Sequence, residues 1–250
     1  MSGRPDRRPF GPGPYVLGAQ LKIPDPPQAY PFLPAIHDLT VLRPAGGVTF
    51  IVGENGSGKS TLVEALAIAS GFSPQGGPLS GELGRVKRES ESDLADVLVI
   101  ETGPHKPRAG FFLRAESFFN VASTIDARDS AEIYGGVAMH EQSHGESFFA
   151  LLDHRFRGAG LYILDEPEAA LSPSRQLSFL VRLHELIGRR SQFIIATHSP
   201  IILGYPDAWI YQTTQTGLER VAYEDTDHFQ VTRNFLNRRE MFLETLLSDD

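Results

Sequence analysis

Val48 to Thr61 reads VTFIVGENGSGKST, an apolar β-prone run, a glycine-rich loop, and then Lys59-Ser60-Thr61. Gly53, four further residues and Gly58-Lys59-Ser60 satisfy the spacing G-x-x-x-x-G-K-[ST], in the setting that gives this spacing meaning: strand, loop, helix start. Glycines let backbone N–H groups close around a polyphosphate, and the N-terminus of the following helix adds favourable partial charge. The loop Gly53, Glu54, Asn55, Gly56, Ser57, Gly58, Lys59, Ser60 and Thr61 is therefore expected to cradle a nucleotide. Lys59 would reach the β- and γ-phosphates and the Ser60 hydroxyl would ligate magnesium. The helix is predicted from Gly58 to about Ser70, with Gly71 ending it.

Two later strands end in residues that suit the same ligand. In LYILDEPEAALSP, Asp165 closes an apolar run and is followed by Glu166 and Pro167. A carboxylate at the tip of a buried strand is costly unless a cation or phosphate partners it. Taken alone, an Asp-Glu pair opening a loop is more often a helix cap; beside the phosphate loop, Asp165 is read as holding magnesium through water and Glu166 as orienting or deprotonating an attacking water. In QFIIATHSP an apolar run again ends at Thr197-His198, and Ser199-Pro200 forces a turn. Ligands of parallel sheets sit at the carboxyl ends of strands, so His198 is expected to face the γ-phosphate.

Working outward, YVLGAQLKI and IHDLTVL read as strands ahead of the loop. ADVLVIE and GFFLRAE are expected to form a hairpin around residues 103–110. Helices are expected near 146–156 and 174–187, the second with Leu177, Leu180, Val181 and Ile187 on one face and Gly188 as terminator. AWIYQTT, LERVAYED and one final helix over about 227–247 close the chain. The predicted fold is α/β, a mostly parallel core sheet flanked by helices with an N-terminal antiparallel β portion. Half of the 18 prolines fall in the first 34 residues, beside Arg4, Arg7 and Arg8. Residues 1–14 are read as a flexible Pro/Arg-rich arm and 15–250 as one domain, with 117–156 a short helical lobe.

The 250 residues carry 41% hydrophobic and 22% charged side chains, a net charge of −8 and no cysteine. That composition is of a soluble globule, and it excludes disulfides, thiolate metal sites and cysteine nucleophiles. No apolar run approaches the roughly 18 residues of a spanning helix, so a cytoplasmic protein without a membrane partner is expected. The negative charge argues against a whole-surface grip on nucleic acid.

The octet HEQSHGES, residues 140–147, reads in two ways. His140, Glu141 and His144 satisfy H-E-x-x-H, a zinc metalloprotease pattern for which His154 would be a third ligand. Ser143-His144-Gly145-Glu146 instead suits a phosphate-sensing turn at a helix head, and Gly145 favours a helix starting there.

In order and content these motifs resemble the ABC class of P-loop ATPases, from about Tyr30 to Pro200. GENGSGKST corresponds to Walker A, LYILDE to Walker B with its catalytic glutamate, EAALS to the D-loop and His198 to the switch histidine. GFFLRAESFFN, HEQSHGES, DEPEAALSP and IIATHSP look closest to small stand-alone bacterial AAA-family ATPases, related to DNA-repair and chromosome-organising members rather than transporters. The resemblance implies Mg2+-dependent ATP hydrolysis with Lys59, Glu166 and His198 catalytic, and Ser60, Asp165 and Glu116 at the metal. It further implies a head-to-tail dimer sandwiching two ATP molecules, each phosphate loop facing Ser143, Gly145 and Glu146 of the partner. Ser143-His144-Gly145-Glu146 fill the last four places of the family's L-S-G-G-Q, with Gln142 for leucine, His144 for the first glycine and Glu146 for glutamine. Glu116 stands near where the family has its Q-loop glutamine, a position a surface charge would fill equally well, and the resemblance implies that Tyr30 or Phe32 stacks on adenine, the alternative being a core or surface aromatic. A P-loop kinase, or an ATP-gated clamp for DNA or a partner protein with slow hydrolysis as a timer, are the other readings of the same loop.

Overall fold

The computed structural model describes residues 14–21, 42–79, 94–114 and 144–248. Its centre is a seven-stranded sheet ordered β3-β5-β6-β7-β2-β8-β9. β5 (Ala109–Arg114), β6 (Gly160–Asp165), β7 (Gln192–Ala196), β2 (Val48–Val52) and β8 (Trp209–Thr214) run parallel to their neighbours. The short β3 (Gly77–Pro78) and β9 (Gly217–Val221) add antiparallel edges.

β2, β6 and β7 are buried along their whole length, which is why they read as continuous apolar runs rather than alternating ones. Their alternate side chains serve two cores. Phe50, Tyr162, Leu164, Phe193 and Ile195 meet α3 (His144–Arg155), α4 (Pro173–Gly188) and α5 (Pro200–Leu203). Ile51, Leu161, Ile163 and Ile194 meet α1 (Lys59–Ala69) and α2 (Leu94–Val97). The result is a helix-covered, mostly parallel α/β sheet, as its sequence predicts.

Three expectations are corrected. The predicted hairpin does not form: β4 (Leu98–Thr102) pairs antiparallel with β1 (Val16–Leu21), while β5 joins the main sheet beside β6. β4 covers α1 and buries Leu98 in the second core, a position that β5 cannot share while its Phe111, Phe112 and Leu113 fill the sheet. The antiparallel β portion is thus built from β1 and β4, with Leu42 bridging to Ala19.

On α4 the buried stripe is Gln176, Phe179, Leu183 and Leu186. Leu180 and Ile187 pack at its margin, but Leu177 and Val181 are 58% and 63% exposed. Gln176 takes the inward place because its amide reaches Leu171 O at 3.1 Å and accepts from Ser199 Oγ; two specific bonds compensate its burial.

The closing helix is two helices, α6 (Asp227–Asn237) and α7 (Arg239–Leu247), parted at Arg238 with φ −134° and ψ 37°. No proline or glycine marks the break. Among the described residues, no helix is long and apolar enough to cross a membrane.

Candidate functional site

The loop after β2 turns on Gly53, Gly56 and Gly58, whose φ values are +151°, +77° and +92°. At Gly53 a side chain is excluded by space as well as by conformation: a Cβ would lie 1.7 Å from Thr213 Oγ1. Gly58 caps α1, and Leu62 N donates to Gly58 O at 2.9 Å. Lys59, only 4% exposed, folds back so that its Nζ donates to Glu54 O at 2.7 Å. Burial holds the Lys59 ammonium below its ordinary pKa, opposed by Glu166, Asp165 and Glu168. A buried ammonium near three carboxylates, held by one carbonyl, can exchange that partner for an anionic oxygen.

β2 lies beside β7, and β7 beside β6, so the carboxyl ends of the three strands open on the same loop. Ser60 Oγ donates to Asp165 Oδ1 at 3.1 Å. Burial pushes Asp165 up to about 7, partly offset by the Ser60 bond and reinforced by Glu166. The pair fits magnesium: a hydroxyl and a carboxylate are hard oxygen donors, and a cation's field is what would ionise so buried an acid.

Glu166 occupies the left-handed region, φ 48° and ψ 55°, with its N–H bonded to Ala196 O at 2.9 Å. Such a conformation costs a non-glycine residue on the order of 1–2 kcal/mol. It brings Glu166 Oε1 to 3.5 Å from His198 Nε2. The sequence-predicted Lys59, Ser60, Asp165, Glu166 and His198 therefore do converge, drawn from three strand ends.

Two residues assigned no individual role from the sequence complete this wall. Glu168 accepts from Thr197 Oγ1 at 2.8 Å and from the His198 N–H at 2.5 Å, tying the turn after β6 to the turn after β7. Burial raises the Glu168 pKa, and both hydrogen bonds oppose that rise. His228, in the first turn of α6, lies with its Nε2 2.9 Å from His198 Nδ1. Glu168 had a local signal, standing two residues beyond the Asp-Glu pair; His228 had none, being 30 residues from its partner.

The signature candidates are only partly described. Ser143 lies outside the described residues, as do Glu116, Tyr30, Phe32, His140 and Glu141. α3 starts at His144, so Gly145 and Glu146 occupy its first turn. Glu146 is exposed, with Oε1 3.8 Å from Arg175 Nη2. His154 sits in the last turn of the same helix. Among the described residues, no group of three His, Asp or Glu side chains could hold a metal ion.

Residues 104–204 match the family described as "AAA domain, putative AbiEii toxin, Type IV TA system", and residues 32–106 match a second described as "AAA domain". The hemin import ATP-binding protein HmuV of Burkholderia thailandensis is 30% identical over 192 residues, covering 60% of this chain and 68% of that protein. The ABC transporter G family member STR2 of Medicago truncatula is 28% identical over 193 residues, 66% of this chain; the chain spans only 25% of that relative's length. In fold, cbiO1 of Clostridium perfringens, part of the ABC transporter complex cbiONQ, superposes with a TM-score of 0.50 at 15% identity, covering 91% of this chain and 97% of that one. With the phosphate loop and both acidic and histidine strand ends in their places, the chain belongs to the AAA/ABC-type P-loop ATPase family.

Proposed function

We propose that the chain binds ATP with magnesium and hydrolyses it between two copies arranged head to tail. The observation that carries this reading is the convergence of Lys59, the Ser60–Asp165 pair and the Glu166–His198 pair at adjacent strand ends. Ser60 and Asp165 would hold magnesium, which supplies charge neutralisation for the β- and γ-phosphates.

The remaining chemistry belongs to side chains. Lys59 binds the β- and γ-phosphate oxygens, its partial desolvation strengthening the contact. Glu166 accepts the proton of a water whose oxygen attacks the γ-phosphorus. As that bond forms, the bond to the β–γ bridging oxygen breaks, leaving ADP and phosphate. His198 Nε2 donates to a γ-phosphate oxygen, and its proximity to Glu166 keeps donor and base on the same phosphate. Water, rather than a second substrate hydroxyl, is the natural acceptor because Glu166 and His198 both serve the γ-phosphate position; this favours hydrolysis over a kinase reaction.

Ser143, Gly145 and Glu146 of a second copy would close each site, with the N-terminus of α3 donating to the γ-phosphate. The cytoplasm, where ATP is abundant, is the compartment this reading requires. We place the chain outside the transporters, as a domain over residues 15–250 that ATP clamps around DNA or a protein, with hydrolysis as the release.

Replacing Glu166 by Gln should slow hydrolysis about 100-fold or more and trap an ATP-bound dimer, read as a doubled mass in light scattering. Lys59→Ala should lose both hydrolysis and dimer. A Glu166→Gln variant that stays monomeric in saturating ATP overturns the sandwich, and full hydrolysis by Lys59→Ala overturns the ATPase assignment. Stimulation of the wild type by duplex DNA, weakening as salt is raised, would mark nucleic acid as the partner.

A further inference from the structure

The His198–His228 contact lies behind the proposed γ-phosphate donor. We propose that His228 is a positioning residue that fixes the tautomer and aim of His198, an inference that rests on His198 serving the γ-phosphate. The geometry is specific: His228 Nε2 faces His198 Nδ1 at 2.9 Å, and the other nitrogen of His198 faces Glu166 at 3.5 Å.

A neutral imidazole carries one N–H and one bare lone pair, so the short N···N contact must contain one proton. Were it on His198 Nδ1, the bare Nε2 of His198 would confront the Glu166 carboxylate and any phosphate oxygen, lone pair against lone pair. With the proton on His228 Nε2, His198 accepts at Nδ1 and carries its own proton on Nε2, directed at Glu166 and the phosphate. Only the second arrangement gives His198 a donor where the reaction needs one.

His228 is well held for this task. Thr226, fully buried, caps α6 by accepting from Phe229 N at 3.3 Å and donates to Tyr223 O at 2.8 Å. Asp227 is clamped to Gln212 of β8 on both sides, Gln212 Nε2 donating to Asp227 Oδ2 at 2.8 Å and Asp227 N to Gln212 Oε1 at 3.2 Å. β8 is the strand beside β2, so the ring that aims His198 is anchored to the neighbour of the strand that carries the phosphate loop. The helix N-terminus disfavours an imidazolium at His228. Burial and then the neighbouring His198 and Lys59 lower its pKa as well, which keeps it the neutral donor that the pair requires.

The test compares His228→Phe, which keeps a ring but no N–H, with His228→Gln, whose amide can place a donor near the position of Nε2. His228→Phe should lower kcat for ATP hydrolysis about 10- to 100-fold with KM for ATP nearly unchanged, and His228→Gln should recover most of it. Long-range 1H–15N spectra of 15N-histidine protein, with His198 assigned through His198→Gln, give a second readout. They should show His198 as the Nε2–H tautomer in the wild type and as a mixture in His228→Phe. Wild-type His198 in the Nδ1–H form, unchanged spectra in His228→Phe, or equal activity loss in the Phe and Gln variants overturns the proposal. Should His198→Ala instead hydrolyse ATP at the wild-type rate, the underlying site reading fails, whereas the tautomer measurement still judges the pair.

Discussion

From Gly53 to Thr61 the phosphate loop is one contiguous stretch that shapes its site with backbone, whereas the wall facing it is assembled from Asp165, Glu168, Thr197, His198 and His228 by side-chain bonds. The loop depends on side chains being absent where chains pass close. The facing wall depends on the right oxygen or nitrogen being present at the end of a strand. A methyl group should therefore be most damaging in the first, and an isosteric swap of oxygen for nitrogen in the second.

The largest effect is expected at Gly53. Gly53→Ala combines a left-handed φ with a Cβ placed 1.7 Å from Thr213 Oγ1, and should cost about 3 kcal/mol or more in urea unfolding. Gly56→Ala, with a similarly positive φ but open space around it, should cost about 1 kcal/mol. Equal losses would show that conformation alone, and not the approach of β8, requires glycine at Gly53.

Asp165→Asn should move stability the other way. The folded pKa of Asp165, about 7, lies above its ordinary 3.8. The native chain thus binds this proton more tightly than the unfolded one, and stability is lost as pH rises from about 4 through 7. Removing the charge should stabilise the nucleotide-free protein at pH 8 by on the order of 2–3 kcal/mol, falling by more than half at pH 5. The same variant should lose magnesium-dependent nucleotide binding, measured by titration calorimetry. A destabilised Asn variant at pH 8 would mean that the Ser60 bond outweighs burial.

Glu168→Gln sharpens the contrast at smaller scale. Both carboxylate oxygens accept from donors, the Thr197 hydroxyl and the His198 N–H. An amide offers one oxygen and turns an NH2 toward the other donor, so the change should cost about 1–2 kcal/mol in thermal or urea unfolding. It should also reduce kcat, since the His198 backbone is released. A variant indistinguishable from wild type in both would show that His198 is held by His228 and the strand alone.

The chain's own letters determined the phosphate loop, the helix after it, the acidic and histidine strand ends and the buried parallel sheet. Each of these is local: a spacing of glycines, a run of Val, Ile, Leu and Phe, or a polar residue where such a run stops. Tertiary structure decided what lies across from what. It paired β4 with β1 instead of β5, with Leu98 buried in the core under α1, and it turned Gln176 inward past Leu177 because Ser199 and Leu171 O wait there. It also brought Glu168 and His228 to His198. Their roles follow from lone pairs and N–H groups meeting at hydrogen-bond distance, and no spacing along the chain encodes such a meeting when 30 residues separate the partners.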